Sequence, residues 1–129
     1  MVATVPLDIP VIQPSSRARE FLQSPRQTFI NGQWQDAASG KTFPVHNPAT
    51  GEIIAMAAEG DAEDINQAVT AARRVFDDHT HAWNTMTPSE RGKLIWKIGD
   101  LILENLDELA ELESLDNGKP MAVAKVADV

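Results

Sequence analysis

Few side chains in this sequence have both the type and the spacing to do chemistry. His79-Thr80-His81 is the only paired-histidine feature. Two imidazoles one residue apart in a loop can share a metal ion, but a zinc site needs three or four ligands and outer partners to orient them. The chain has no cysteine to complete such a set, so this loop reads as solvated. His46, beside Asn47-Pro48, reads as a turn residue. Carboxylates crowd between Glu104 and Asp116. Acid–base work needs burial or convergence to drive two pKa values apart. On an amphipathic helix, Glu104, Asp107, Glu108 and Glu111 form a solvated face instead. The seven glycines make neither Gly-x-Gly-x-x-Gly nor a Walker A loop, and no Gly-x-Ser-x-Gly elbow is present. Trp34, Trp83 and Trp96 are scattered along the chain and read as core or interface anchors rather than base-stacking platforms. These residues compose no catalytic constellation.

The elements that position them follow from pattern. Residues 1–26 hold four of the eight prolines, show no helical or strand period and read as an extended N-terminal tail. Val5 to Ile12 is expected to be extended, because residues before proline avoid the α region. Two hairpins come next. Thr28-Phe29-Ile30 and Gln33-Trp34 flank Asn31-Gly32, a dipeptide suited to a type I′ turn. Lys41 to Val45 and Glu52 to Ala58 flank the turn Asn47-Pro48-Ala49-Thr50-Gly51, and Pro44 marks an edge or a strand end. A helix starts near Asp61, with Asp64 as an imperfect capping box, and carries the stripe Ile65, Ala68, Val69, Ala72, Val75, Phe76. Asp77 to Met86 is predicted to be a loop. Thr87-Pro88-Ser89-Glu90 is a strong helix start, offering an N-cap hydroxyl, a proline at N1 and a glutamate at N3. The apolar register slips near Asn105, predicting a break and a second helix to about Leu115, ended by Gly118 and Pro120. Met121 to Val129 opens a further helix, and Val129 carries no stop signal, so the chain is expected to be cut within an element.

Length and composition bound the class. The chain has 129 residues, 43% hydrophobic and 23% charged, which is one ordinary domain or a piece of a larger one. Eleven basic residues against 19 acidic ones give a net charge of −8. That balance repels phosphate backbones, so no nucleic-acid partner is expected. The absence of cysteine excludes disulfides, thiolate zinc sites, iron–sulfur clusters and a cysteine nucleophile within the chain. The longest apolar runs, such as Ile53 to Ala58, fall far short of the roughly 20 residues of a membrane span. The N-terminus lacks a basic region, and Pro6, Asp8, Pro10 and Pro14 interrupt its apolar stretch, unlike a secretory signal. A soluble, cytoplasmic protein with no membrane partner is expected.

From Phe29 onward the chain resembles the N-terminal segment of the NAD(P)-dependent aldehyde dehydrogenase superfamily. Phe29-Ile30-Asn31-Gly32-Gln33-Trp34 resembles its opening hairpin, and Asn47-Pro48-Ala49-Thr50-Gly51-Glu52 its Asn-Pro-x-Thr-Gly-Glu turn. Asp64-Ile65 through Ala71-Ala72-Arg73 to Phe76 is similar to its first helix, with Trp83 and Arg91 placed as expected. Leu115-Asp116-Asn117-Gly118-Lys119-Pro120 resembles its Leu-Asp-x-Gly-Lys-Pro motif. Each piece alone is weak, and five in order over about a hundred residues are strong. Residues 1–26 carry no part of the resemblance.

The resemblance implies an α/β parent with a Rossmann-like cofactor domain, beside a catalytic domain and an oligomerising arm. This piece, residues 27–129, would be two short β-hairpins followed by amphipathic helices, lacking most of the parallel sheet. It implies oxidation of an aldehyde to a carboxylic acid with NAD or NADP, in a homodimer or homotetramer. In the family a cysteine thiolate attacks the aldehyde, an asparagine amide and a backbone N–H hold the oxyanion, and hydride passes to the nicotinamide. A glutamate-activated water then hydrolyses the thioester. All of those residues lie downstream of the motif ending at Pro120, so no catalytic or cofactor-binding residue is carried over and the chain alone is expected to be inactive. One carry-over remains: some members bind a monovalent cation through backbone carbonyls after the third strand and the aspartate of the Leu-Asp motif, which are Val45, His46 and Asp116 here. Asp116 bonding locally at a helix end is the competing reading. The rival for the whole chain is a standalone acidic interaction module, with the strip Leu94 to Leu112 docking on a partner or on itself.

Overall fold

The computed structural model describes residues 13–129; the expected extended stretch from Val5 to Ile12 lies outside them. The elements run α1 (Ser16–Gln23), β1 (Thr28–Ile30), β2 (Gln33–Gln35), β3 (Thr42–His46), β4 (Ile53–Ala58), α2 (Ala62–Asp77), α3 (Ala82–Thr85), α4 (Pro88–Glu104), α5 (Leu106–Asn117) and α6 (Met121–Ala127).

Both hairpins form as their turns dictate. β1 and β2 pair antiparallel with Phe29 opposite Trp34, and Asn31 and Gly32 take φ of 53° and 76°, the left-handed pair that a type I′ turn requires. β3 and β4 pair antiparallel, with a register shift between Val45 and His46. Arg26 adds one parallel bridge to Ala57 on the far side of β4, through Arg26 N–H to Met56 O and Ala58 N–H to Arg26 O, each 2.7 Å. Pro44 is tolerated because β3 belongs to a two-stranded sheet and has a free edge.

The helices begin where their caps lie. Asp61 and Asp64 complete a capping box on α2, better than the imperfect one expected, and Thr87 and Glu90 complete another on α4. Asn105 breaks the long apolar run: it closes α4, and its side-chain amide donates to Leu101 O at 2.8 Å. Gly118, at φ 79°, ends α5 in the left-handed conformation. Two expectations fail locally. Residues 16–23 are helical rather than extended, capped by the Ser15 hydroxyl, which accepts from Ala18 N–H. The segment expected to be a loop contains the one-turn helix α3. Both depend on contacts distant in sequence or on an unconventional cap, which periodicity does not register.

α1 stays in place because α5 holds it. The Glu111 carboxylate accepts the Ser15 N–H, Arg17 pairs with Glu108 at 2.9 Å and donates to Asn105 Oδ1, and Ala18 is fully enclosed. Glu111 is therefore only 7% exposed, a correction to the solvated face expected for Glu104, Asp107, Glu108 and Glu111. Its burial comes from the helix docked across it, and it has the partner a buried carboxylate needs.

The enclosed apolar residues are Ala18, Ala37, Ala55, Ala110, Leu115 and Ala124. Leu115 is the only large one among the described residues. Ile65, Val69 and Phe76 of α2, and Leu94, Ile95, Trp96, Ile98, Leu101 and Leu103 of α4, stand exposed. Trp34, Trp83 and Trp96, at 67%, 40% and 77% exposure, are not core residues of these elements. Among the described residues no helix is long and apolar enough to cross a membrane.

Asp64 joins the hairpin region to α2. It is 2% exposed, and its two oxygens accept from Ala38 N–H and Asp61 N–H, each at 2.9 Å. The Asp61 amide, then the Ala38 amide, hold its carboxyl below the usual 3.8, against the opposing effect of desolvation. A depressed carboxyl pKa stabilises the fold above the ordinary carboxylate range, and that contribution disappears as pH falls below 3.8 and through the lower folded value. Acidification across that window is expected to release the Ala38 and Asp61 amides together, as read by hydrogen exchange in the native polypeptide. Asp64→Asn should lose this protection already at neutral pH and show no further step in acid. Protection that is unchanged in the variant contradicts this role.

Candidate functional site

The residues put forward for a cation come from two segments, the end of β3 and the last turn of α5. At the β3 end, Val45 faces Ala55 and His46 faces Ile53, so one residue of β4 is skipped. This bulge redirects the chain into the Asn47–Gly51 turn. Asn47 is the buried hub of that turn: its N–H donates to Glu52 O at 2.9 Å, its carbonyl accepts from Gly51 N–H at 2.7 Å, and its Oδ1 accepts from Ala49 N–H at 2.9 Å. Such an Asx arrangement explains why asparagine precedes the proline. The exposed His46 ring places Nδ1 3.3 Å from Gly51 O.

The second segment is the α5 terminus. Gly118 N–H donates to Ser114 O at 3.0 Å, the buried Ser114 hydroxyl donates to Lys119 O, and Lys119 N–H donates to Asn117 Oδ1 at 2.8 Å. Lys119 Nζ lies 2.6 Å from Asp128 Oδ1; that hydrogen bond, ahead of the Coulombic attraction, raises the ammonium pKa. The two segments meet at Pro48 and Gly118: a Cβ on Gly118 would stand 2.9 Å from Pro48 Cγ. His46 lies two residues before Pro48 and Asp116 two before Gly118, so the contact puts the proposed ligands on adjoining segments. Asp116 is exposed and enters none of the described hydrogen bonds or salt bridges. The local capping role that competed for it belongs to Asn117.

The remaining candidates resolve simply. His81 Nδ1 accepts from Trp83 N–H at 3.1 Å, and among the described residues no three His, Cys, Asp or Glu side chains are placed to hold a metal. For a dinucleotide the two longest helices offer no open start. A pyrophosphate needs free N–H groups at a helix start after a glycine-rich turn. Asp61 and Asp64 already occupy the α2 start, and Thr87 and Glu90 the α4 start. The left-handed glycines Gly32, Gly40, Gly51 and Gly118 lie in turns and at a helix end. The most conspicuous surface is apolar: Gly92, Ile95, Trp96, Gly99, Ile102 and Leu103 line an open groove of about 570 Å³ along α4.

Short antiparallel hairpins and amphipathic helices with uncovered faces make up the described residues. Residues 34–129 match the model of the aldehyde dehydrogenase family. The chain is 54% identical over 101 residues to aldehyde dehydrogenase family 2 member C4 of Arabidopsis thaliana, covering 78% of this chain and 20% of that protein. It is 48% identical over 103 residues to the human mitochondrial aldehyde dehydrogenase, covering 80% and 20%. The NAD+ complex of the Bacillus cereus aldehyde dehydrogenase superposes with a TM-score of 0.86 at 45% identity, over 91% of this chain and 23% of that one. The chain belongs to the aldehyde dehydrogenase family and spans about a fifth of the length of the curated relatives it matches. The structural match covers more than residues 27–129 account for, so the likeness extends into the segment holding α1, beyond the start the motifs suggested.

The Pro48–Gly118 contact makes a testable claim. Gly118→Ala introduces a left-handed alanine, which costs about 1–2 kcal/mol, and a methyl that collides with Pro48. Its denaturation midpoint is expected to fall, and placing it in a Pro48→Ala background should recover the steric part and leave the backbone part. A Gly118→Ala variant as stable as the parent contradicts the contact.

Proposed function

We propose that this chain is the N-terminal portion of an NAD(P)-dependent aldehyde dehydrogenase, and that it serves structurally by covering a Rossmann-like cofactor domain supplied by further residues. The observation that carries this reading is the exposure of the α2 and α4 apolar faces on a chain whose motifs match the family. An amphipathic helix lays its apolar face against a core, and on α2 and α4 that face stands uncovered. The chain itself contributes no cysteine nucleophile, and the starts of its two longest helices, α2 and α4, are already filled by capping boxes. It is therefore inactive alone, while the enzyme it belongs to oxidises an aldehyde with NAD or NADP as a cytoplasmic homodimer or homotetramer. NAD+ is the ligand in the Bacillus cereus structure, and several relatives are mitochondrial. The rival interaction module draws no support from α4 and α5, because Asn105 divides the strip Leu94 to Leu112 between two helices.

The monovalent cation at the Val45 and His46 carbonyls and Asp116 remains part of this proposal, supported by the Pro48–Gly118 contact and by an uncommitted Asp116 carboxylate. Exchange of sodium for potassium is expected to change the stability or activity of the native enzyme, and Asp116→Asn to blunt that change; indifference to both removes the site.

The function is tested by isolating the native polypeptide from its own cells, weighing it and assaying NADH or NADPH formation with aldehydes. A mass several times 14.1 kDa with aldehyde-dependent turnover is expected, and no turnover from the 129-residue chain. A native mass near 14.1 kDa, or turnover by the short chain, overturns the reading.

A further inference from the structure

The connection between α2 and α4 contains a helix cap made by an imidazole. His81 precedes α3, and its Nδ1 accepts the Trp83 N–H at 3.1 Å. Accepting at Nδ1 requires a lone pair there, so the ring is neutral with its proton on Nε2. Protonation would turn Nδ1 into a donor aimed at a donor. Histidine is the side chain whose ordinary charge change falls between about pH 5 and 8.

What hangs on this cap is the junction of two longer helices. Asn84 Nδ2 donates to Val75 O at 2.5 Å and to Asp78 O at 2.8 Å, tying α3 to the end of α2. Arg91 of α4 donates to Met86 O at 2.6 Å and to Trp83 O at 3.5 Å, tying the same turn to the start of α4. α3 has only four residues, too short to hold its conformation without such ties. We propose that His81 is a pH-sensitive latch, which holds α3 between α2 and α4 while its ring is neutral and releases that turn when its ring is protonated.

The charges around the ring give both states a definite arrangement. Asp78, at the C-terminal end of α2, holds Thr80 N–H and Thr80 Oγ1 at 2.9 and 2.6 Å. Those two bonds, side chain first, depress its carboxyl pKa, and attraction to His81 adds a smaller part. A protonated His81 therefore finds a carboxylate beside it when it leaves the cap. Asp77 is engaged by Arg73 at 3.2 Å and does not compete. Arg91 is the cation that α4 brings to this turn, and it is engaged by the Met86 and Trp83 carbonyls. His79 is the other imidazole of the connection and takes no part in the cap.

The test is hydrogen exchange of the 82–86 segment in the native polypeptide between about pH 5 and 8, with intrinsic chemical rates divided out. Loss of one cap corresponds to about a fivefold change in local equilibrium. Protection of that segment is expected to fall about fivefold toward pH 5, while the interior of α2 stays protected. His81→Asn keeps a capping oxygen that does not titrate, so it should retain protection and lose the pH dependence; His79→Asn should keep both. A flat wild-type profile, or a His81→Asn profile that falls like the wild type, overturns the proposal.

Discussion

Amphipathic elements are stable when their apolar side has something to cover it, and this chain has little to offer itself. Of the six enclosed apolar side chains among the described residues five are methyl groups and one, Leu115, is large. A buried methyl contributes at most about 0.8 kcal/mol, which is small against the entropy of ordering the backbone. Two sheets of two strands each cannot supply the missing surface. The α4 face bearing Trp96, Leu103, Ile95 and Ile98 is thus the constraint on which the remainder depends, because nothing among the described residues covers it.

In place of a core, polar and steric contacts fix the elements relative to one another. Asp64 joins the hairpin side to α2, Glu111 receives the start of α1, Arg91 binds the turn ahead of α4, and Pro48 rests on Gly118. Such contacts are directional and specify geometry, yet each net contribution is modest. They explain how a chain with so few enclosed hydrophobic groups has a defined arrangement that superposes on a family member over most of its length. They also separate two roles: polar contacts set the shape of the piece, and the exposed apolar faces are left for association.

Local signals made much of the fold legible. Asn31-Gly32 announced its hairpin because only certain residues accept two left-handed conformations in succession. Thr87-Pro88-Ser89-Glu90 announced α4, and the slipped register announced the break at Asn105. What escaped was fixed from afar. α1 is only eight residues long and is held by Glu111 and Glu108, some ninety residues on; the same contact buries a glutamate that its own helix would leave in water. α3 escaped because histidine is an unusual cap. For the candidate site, motif resemblance located Val45, His46 and Asp116, but the contact between their segments depends on a glycine's missing Cβ, which has no signature in sequence. The family's chemistry was illegible here for a simpler reason: these 129 residues hold no cysteine and no glycine-rich phosphate-binding turn.

The need for cover is tested most directly by hydrophobic-dye binding to the purified 129-residue chain, followed through a thermal melt. Strong dye fluorescence at low temperature with a broad, weakly cooperative transition, or self-association, is the predicted result. A monomer that binds no dye and melts in one sharp two-state transition would contradict it, because such a chain would already cover its own apolar faces.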